Sequence, residues 1–356
     1  MSYAAITGWG HCVPPAVLTN ADLATVVDTS DEWIVSRTGI SERRITHVGL
    51  SELAYVAAAR ALACAGMAAD DIDVIILATA SGDDIVPNTA SRVQQLLGAT
   101  NAAVFDLNAA CTGFLYGLNT GTAFIRSGMY QKVLVIGADR LSWFLDWSDR
   151  ATCVLFGDGA GAVVLEASDQ PAGVQSFRMG CDGEARHILQ VNGYGTAMNR
   201  FTTDGVFDLS FEGQEIFKRA IRGMSGAAEG AMAELGITAD EIDLVIPHQA
   251  NSRIIQTLAK QMNVPMEKVM VNVHKFGNTS AASVPIALSE ALSEGRVRPG
   301  ALLLSAAFGA GLTWASVVIR WGDRVTPKAV SDVALPPCEQ SALALIAEAV
   351  AACSKK

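Results

Sequence analysis

Along the chain, short apolar runs alternate with longer stretches of helical spacing. The acidic turn DDID leads into VIILATA (residues 74–80), a buried strand by its unbroken β-branched and apolar residues. A second β-leaning run spans Ala102–Leu107. Helical periodicity marks Leu53–Ala65, Phe211–Glu234 and Ser283–Ser293. Strands alternating with helices predict an α/β protein with mostly parallel sheets covered by helices. Ligands of such sheets sit where loops leave the strand ends.

The pattern also repeats. DDIDVIILATA (70–80) lies on DEIDLVIPHQA (240–250) at an offset of 170, and Thr238 with Glu241 has the spacing of a capping box. AVFDLNAACTG (103–113) matches MVNVHKFGNTS (270–280) at an offset of 167, which sets Cys111 against Asn278 and Thr112 against Thr279. FGDGAGAVVL (156–165) resembles FGAGLTWASVVI (308–319). Three landmarks in one order predict two copies of one α/β unit, 1–170 and 171–323. A C-terminal extension, 324–356, follows. Its Pro336-Pro337 and the run Ser341–Ala352 predict a loop and one added helix.

Composition narrows the function classes. Half of the 356 residues are apolar and 17% are charged, enough for a large core and too apolar for disorder. A net charge of −10 without a dense Lys/Arg run argues against a nucleic-acid partner. No stretch has the length of a membrane span, and MSYAAITGWGHCVPP lacks the layout of a secretion signal. Seven scattered cysteines, without C-x-x-C or a histidine pair, suit a reducing cytosol and predict no metal site. The expectation is a soluble cytoplasmic protein.

Candidate chemistry centres on Cys111, placed after a strand and at the start of a helical run, among Ala109, Ala110 and Gly113. A helix N-terminus carries about half a positive charge and free N–H groups, so the position predicts a stabilised thiolate. A buried cysteine that merely fills core is the plain alternative. His248, in VIPHQANSR, directly follows a buried strand. Asn278, in FGNTSAAS, has the setting of a turn residue. Cys, His and Asn together also occur in papain-like hydrolases, but no papain-type cysteine signature is present. GDGAGA (157–162) lacks dinucleotide-loop spacing and runs into a strand.

Taken together, AACTGF, FGDGAGA, PHQANSRI, GNTSAASVP and FGAGLTW resemble the β-ketoacyl-acyl carrier protein synthase III family of the thiolase superfamily, over about Ile6 to Arg320. The resemblance implies a duplicated, five-layered αβαβα thiolase fold and a homodimer. It implies that Cys111 takes an acyl group from acyl-CoA and that His248 and Asn278 hold the thioester carbonyl of malonyl-acyl carrier protein during decarboxylation. No cofactor is expected. The backbone N–H groups of Cys111 and Ala310 would form an oxyanion hole.

The same resemblance assigns Trp33, Arg37, Arg150 and Asn251 to CoA binding. Gln249, Arg253 and Lys218 would meet the carrier protein, with Arg219 and Arg222 completing a basic patch. Val86 would shape the acyl pocket across the dimer, and its small size predicts a primer longer than acetyl. Two rivals remain: a thiolase-fold acyltransferase that does not decarboxylate, and a non-catalytic carrier-binding scaffold.

Overall fold

The structure, a computed structural model, describes residues 2–192 and 208–353. The first half contains β1 (Tyr3–Cys12), β2 (Ala16–Thr19), α1 (Asn20–Leu23), α2 (Asp31–Thr38), β3 (Glu42–Ile45) and α3 (Leu50–Ala65). It continues through β4 (Val74–Ala78), α4 (Thr89–Leu97), β5 (Ala103–Leu107), α5 (Gly113–Arg126), β6 (Lys132–Arg140) and β7 (Asp158–Ser168). The second half opens with β8 (Gly173–Cys181), β9 (Leu189–Asn192), β10 (Asp208–Phe211) and α6 (Gly213–Leu235). After it come β11 (Leu244–Val245), α7 (Ser252–Gln261), α8 (Val273–Phe276), α9 (Ser283–Ser293), β12 (Leu302–Gly309), β13 (Thr313–Arg320) and α10 (Ala342–Cys353).

Local chemistry explains the element ends. Ser30 caps α2 by accepting from Trp33 N, and Asn88 caps α4 by accepting from Ser91 N. The capping pair Thr238–Glu241 is formed, at 2.8 Å from Thr238 N to Glu241 Oε2, and it introduces β11. Strand β4 is buried at every position, as its apolar run requires. Phe211 is an exception to the sequence pattern: it closes β10 against Leu189 instead of beginning a helix.

Strand order reveals the repeat. The first half runs β5-β4-β6-β7-β1, and the second runs β11-β12-β13-β8, with Val269 bridging to Val245 where β5 has its place. Pairing is parallel around β4 and β11 and antiparallel around β7 and β13. Each half is therefore mixed instead of mostly parallel. In the second half connection length accounts for this: β12 reaches β13 through a tight turn, and a parallel partner would need a crossover. A single parallel contact, Ala4 with Gly173, joins the halves into one nine-stranded run. There a Cβ on Gly173 would stand 1.7 Å from Ala4 O, so a glycine is required.

Five layers result. Helices α3 and α4 cover one half, and α6 with α7 covers the other. Between them α5 and α9 form the central layer, where Phe114, Leu118, Val284 and Leu288 pack against strands of both halves. The structure also corrects the register of the repeat. One helical turn, Ala110–Thr112, precedes α5, and another, Ser280–Ala282, precedes α9. Ala110 (φ 46°) and Ser280 (φ 50°) share the left-handed conformation. The offset of 170 therefore holds here too, and it pairs Asn108 with Asn278 and Cys111 with Ala281. The offset of 167 slipped by three because short runs of small residues look alike in several registers.

Beyond β13 the chain wraps back over the first half. Lys328 N donates to Cys64 O at 3.0 Å, and His47 Nε2 meets Pro336 O at 2.9 Å. The added helix exists as α10, which sets Ala342 and Ile346 into a cluster with Leu18, Leu23 and Ile34. No helix among the described residues is long and apolar enough to cross a membrane.

Candidate active site

Cys111 sits on the turn between β5 and α5. Asn108 Oδ1 accepts from Ala110 N at 3.2 Å, and Thr112 N donates to Ala109 O at 3.2 Å. The Thr112 and Thr313 hydroxyls meet at 2.9 Å, tying this turn to the β12–β13 hairpin. A Cβ on Gly309 would stand 2.8 Å from Cys111 N, so glycine alone lets the two backbones approach so closely. Asp182 holds the hairpin turn through N to Leu312 O (2.8 Å) and O from Leu312 N (2.9 Å). The positive φ of the turn falls on Gly311 (139°), and Ala310 is free of that strain. Ala310 and Gly311 face the cleft that contains Cys111.

This cleft has a volume of about 1030 Å³, and Cys111, His248 and Asn278 all line it. His248 and Asn278 are buried. Backbone bonds fix both: His248 N donates to Ala306 O at 2.8 Å, and Asn278 N to Leu155 O at 2.8 Å. The Asn278 side chain is oriented as well. Its Oδ1 accepts from Ser280 N at 2.9 Å, which leaves the amide Nδ2 as the end able to reach a ligand.

Electrostatics reverse one expectation. Burial pushes the Cys111 thiol up to about 12; a hydrogen bond from Ser280 opposes this and nearby Asp139 adds to it. Desolvation thus outweighs the expected stabilisation at the helix start, and Cys111 is a neutral thiol at pH 7 instead of a stabilised thiolate. Burial also lowers His248 to about 4, so its imidazole is neutral at the same pH.

Sequence reading missed the support beneath this trio. Asp139 at the end of β6 is fully buried and accepts from Thr79 Oγ1 (3.0 Å), Ala80 N (2.8 Å), Ser81 Oγ (2.7 Å) and Ala281 N (3.1 Å). Desolvation raises its pKa, and hydrogen bonds from Ser280, Ala80, Ser81 and Ala281 oppose the rise. Asp139 thereby ties the first half to the turn that follows Asn278. A lone acidic residue closing the apolar run KVLVIGAD was the available signal. Ser283 was missed as well: its Oγ lies 2.6 Å from His248 Nδ1.

The remaining assignments divide. Two guanidinium groups lie over Trp33, Arg37 at 4.7 Å and Arg150 at 5.1 Å from its ring centroid, a setting suited to a flat ring bearing phosphates. Asn251 caps α7 and donates Nδ2 to Arg37 O at 3.1 Å, so CoA-site candidates from both halves converge. Trp33, Arg37, Asn251, Arg253 and Lys218 all line the cleft. Lys218 pairs with Glu215 (2.9 Å) and Arg219 with Asp182 (2.7 Å), while Arg222 and Arg253 are exposed.

Gln249 does not belong to a docking surface. It is 1% exposed; its Nε2 donates to Pro247 O (2.9 Å) and Met270 O (3.0 Å), and its Oε1 accepts from Asn272 N (2.9 Å) and Val273 N (3.2 Å). Its role is to brace the loop carrying His248. Val86 is 84% exposed and stands outside this chain's own cleft. No cluster that would hold a metal ion occurs among the described residues.

A half-buried cysteine and a buried histidine and asparagine, brought into one cleft from two halves of a duplicated α/β fold, are the arrangement of an acyl-transferring condensing enzyme of the thiolase type. Residues 105–183 match the family model described as 3-oxoacyl-[acyl-carrier-protein (ACP)] synthase III, and residues 232–321 match its C-terminal model. The β-ketoacyl-[acyl-carrier-protein] synthase III 2 of Vibrio cholerae is 57% identical over 99% of this chain and 98% of its own length. The synthase III of Roseiflexus sp. is 52% identical over 90% of this chain and 99% of its own. Among solved structures, the 3-oxoacyl-[acyl-carrier-protein] synthase III of Aquifex aeolicus superposes with a TM-score of 0.84 at 46% identity, covering 89% of this chain and 100% of that one. The chain belongs to the β-ketoacyl-[acyl-carrier-protein] synthase III family.

Proposed function

We propose that this chain primes fatty acid synthesis by condensing an acyl-CoA with malonyl-acyl carrier protein. The observation that carries this reading is the convergence of Cys111, His248 and Asn278 in one cleft that is also lined by Trp33, over whose ring the Arg37 and Arg150 guanidiniums lie. In the first stage Cys111 Sγ bonds to the acyl carbon, the bond from that carbon to CoA sulfur breaks, and the thiol proton leaves with CoA. The N–H groups of Cys111 and Ala310 hold the oxyanion; such a donor is worth about 3–4 kcal/mol.

In the second stage malonyl on its carrier loses carbon dioxide. The electron pair of the broken C–C bond becomes an enolate, whose oxygen His248 and Asn278 hold. The carbanion attacks the acyl-Cys111 carbonyl, the Cys111 thiolate departs, and it takes one proton from water. The product is a 3-oxoacyl carrier protein. In this reading the half 1–170 supplies the nucleophile, the half 171–323 supplies the two donors, and 324–356 is an extension.

Further parts of the reading have their own support. Strand β5 ends the nine-stranded order and, among the described residues, pairs only with β4, so its outer edge suits a second copy and a homodimer. Ile85 and Val86, 68% and 84% exposed, would be covered there, and Val86 would then shape the partner's acyl pocket. Its size favours a primer longer than acetyl. The expected location is the cytoplasm. Lys218, Arg222 and Arg253 suit an acidic carrier protein. Intact-protein mass after incubation with acetyl-, butyryl-, octanoyl- and decanoyl-CoA tests the first stage. An acyl adduct that vanishes in Cys111→Ala is expected; no adduct with any ester overturns acyl-CoA priming, and preference for acetyl-CoA overturns the longer primer.

A further inference from the structure

His248 and Asn278 act as proposed only if both present N–H donors to the thioester oxygen. For Asn278 the bond from Ser280 N settles the orientation. For His248 the outcome depends on which ring nitrogen carries the proton, and the residue that decides is Ser283.

Ser283 opens α9, at the place where the register of 170 puts Gly113 in the first half. The half with the nucleophile has no side chain there, whereas the half with the histidine has a hydroxyl. It is 1% exposed. Its Oγ lies 2.6 Å from His248 Nδ1 and accepts from Gln249 N at 3.4 Å. A hydroxyl owns one proton. Among the described residues, His248 Nδ1 is the one acceptor bonded to this hydroxyl, since Gln249 N is itself a donor. A proton on Nδ1 would face the hydroxyl and leave the serine proton buried without an acceptor, which dry sites avoid.

We propose that Ser283 donates to His248 Nδ1, fixes the imidazole as its Nε2–H tautomer, and so is a positioning residue for the decarboxylation stage. The acceptor atoms of the asparagine and the histidine are then both occupied by internal donors. What remains for the ligand is a pair of N–H groups. Such a site holds an oxygen that gains negative charge and offers nothing to a group that must lose a proton. His248 is accordingly not the base for Cys111. The neutral state of the ring agrees with this assignment.

The inference rests on the proposed condensation, and its test separates the two. Nitrogen NMR of the full-length protein, labelled with ¹⁵N-histidine, reads the tautomer without any turnover. The signal of His248, identified by its loss in His248→Ala, is expected to show a bare Nδ1 and a protonated Nε2 at neutral pH. A protonated Nδ1 or an imidazolium would overturn the assignment. Ser283→Ala is expected to lower condensation kcat about tenfold, the low end for loss of a supporting bond to a reacting histidine. Acylation of Cys111 by acyl-CoA and its KM should not change, and Ser283→Thr should recover most of the loss. Equal slowing of both stages, or full condensation in Ser283→Ala, would refute the positioning role. A wild-type chain that takes up no acyl group would instead sink the proposed function while the tautomer stays readable.

Discussion

The hydroxyls of Thr112 and Thr313 meet at 2.9 Å although 201 positions separate them. Thr112 Oγ1 also bonds Ala109 O at 2.7 Å, and Thr313 Oγ1 bonds Ala310 O at 3.1 Å. The turn that carries the Cys111 N–H and the turn that carries the Ala310 N–H are thus joined by one buried pair. Each turn comes from a different half, so neither half can set the distance between the two N–H groups alone.

Thr313→Val keeps shape and removes that link. Thr112 then has only Ala109 O as its partner, so the stability loss should be about 1 kcal/mol, the net value of one hydrogen bond. The effect on rate should be larger than this stability change implies, about tenfold in Cys111 acylation, because oxyanion donors lose value when misplaced. Urea denaturation and rapid-quench mass spectrometry measure the two quantities separately. A proportionate change in both would reduce the pair to a structural bond.

Gly309→Ala tests the same distance from the opposite side. The added Cβ would meet Cys111 N at 2.8 Å and Thr112 N at 3.2 Å, so the turns must separate by several tenths of an ångström. Displacements approaching 1 Å can cost about a hundredfold in rate. A loss of that order in acylation, with CoA still bound by the Trp33 end of the cleft, is expected from kinetics and CoA titration. Wild-type acylation in this variant would disprove tight coupling of the turns.

The raised thiol makes a pH prediction. With Cys111 held up at about 12, its thiolate fraction grows with every step of pH through neutrality and beyond. Iodoacetamide labelling of Cys111 should therefore climb about tenfold per pH unit from about 6 to 9 without levelling. The stability sign follows from the same shift. A folded pKa above the unfolded value means that the native state keeps its proton longer, so stability present below about 9 is lost as pH rises toward 12. A labelling curve that saturates near neutrality would show a stabilised thiolate instead.

How much of this was legible in the sequence differs residue by residue. Cys111 and His248 stand out because each closely follows an apolar run, whereas Asn278 reads locally as a turn residue and is singled out by the repeat and by the resemblance of its motif. The span Ser283–Ser293 is a helix with the same bounds as its periodicity. The thiol's pKa was not legible, since the burial that raises it comes from a cleft assembled from segments as distant as residues 33 and 311. Gln249 shows the same limit: its neighbours in sequence, His248 and Asn251, face the cleft, yet its four bonds lie inward. Strand direction at β7 and β13 depends on the chain's return path and leaves no trace in apolar periodicity.

Carrier docking gives the last prediction. Of the cations expected to form the basic patch, Lys218 is engaged with Glu215 and Arg219 with Asp182, and both acids would compete with an incoming partner. Arg253 makes no ion pair among the described residues, and its guanidinium is exposed at the N-terminal turn of α7. An unpaired cation has its whole charge available to an acidic surface. Arg253→Glu should therefore raise the carrier-protein KM more than Lys218→Glu does, by about tenfold, while leaving Cys111 acylation by acyl-CoA within about twofold. Because the attraction acts across solvent, raising the salt from about 0.05 to 0.5 M should weaken carrier binding in the wild type and narrow its gap to Arg253→Glu. Steady-state kinetics at both salt levels measure this. Equal KM values for wild type and Arg253→Glu would remove Arg253 from the docking surface and leave Arg222 as the exposed cation to test.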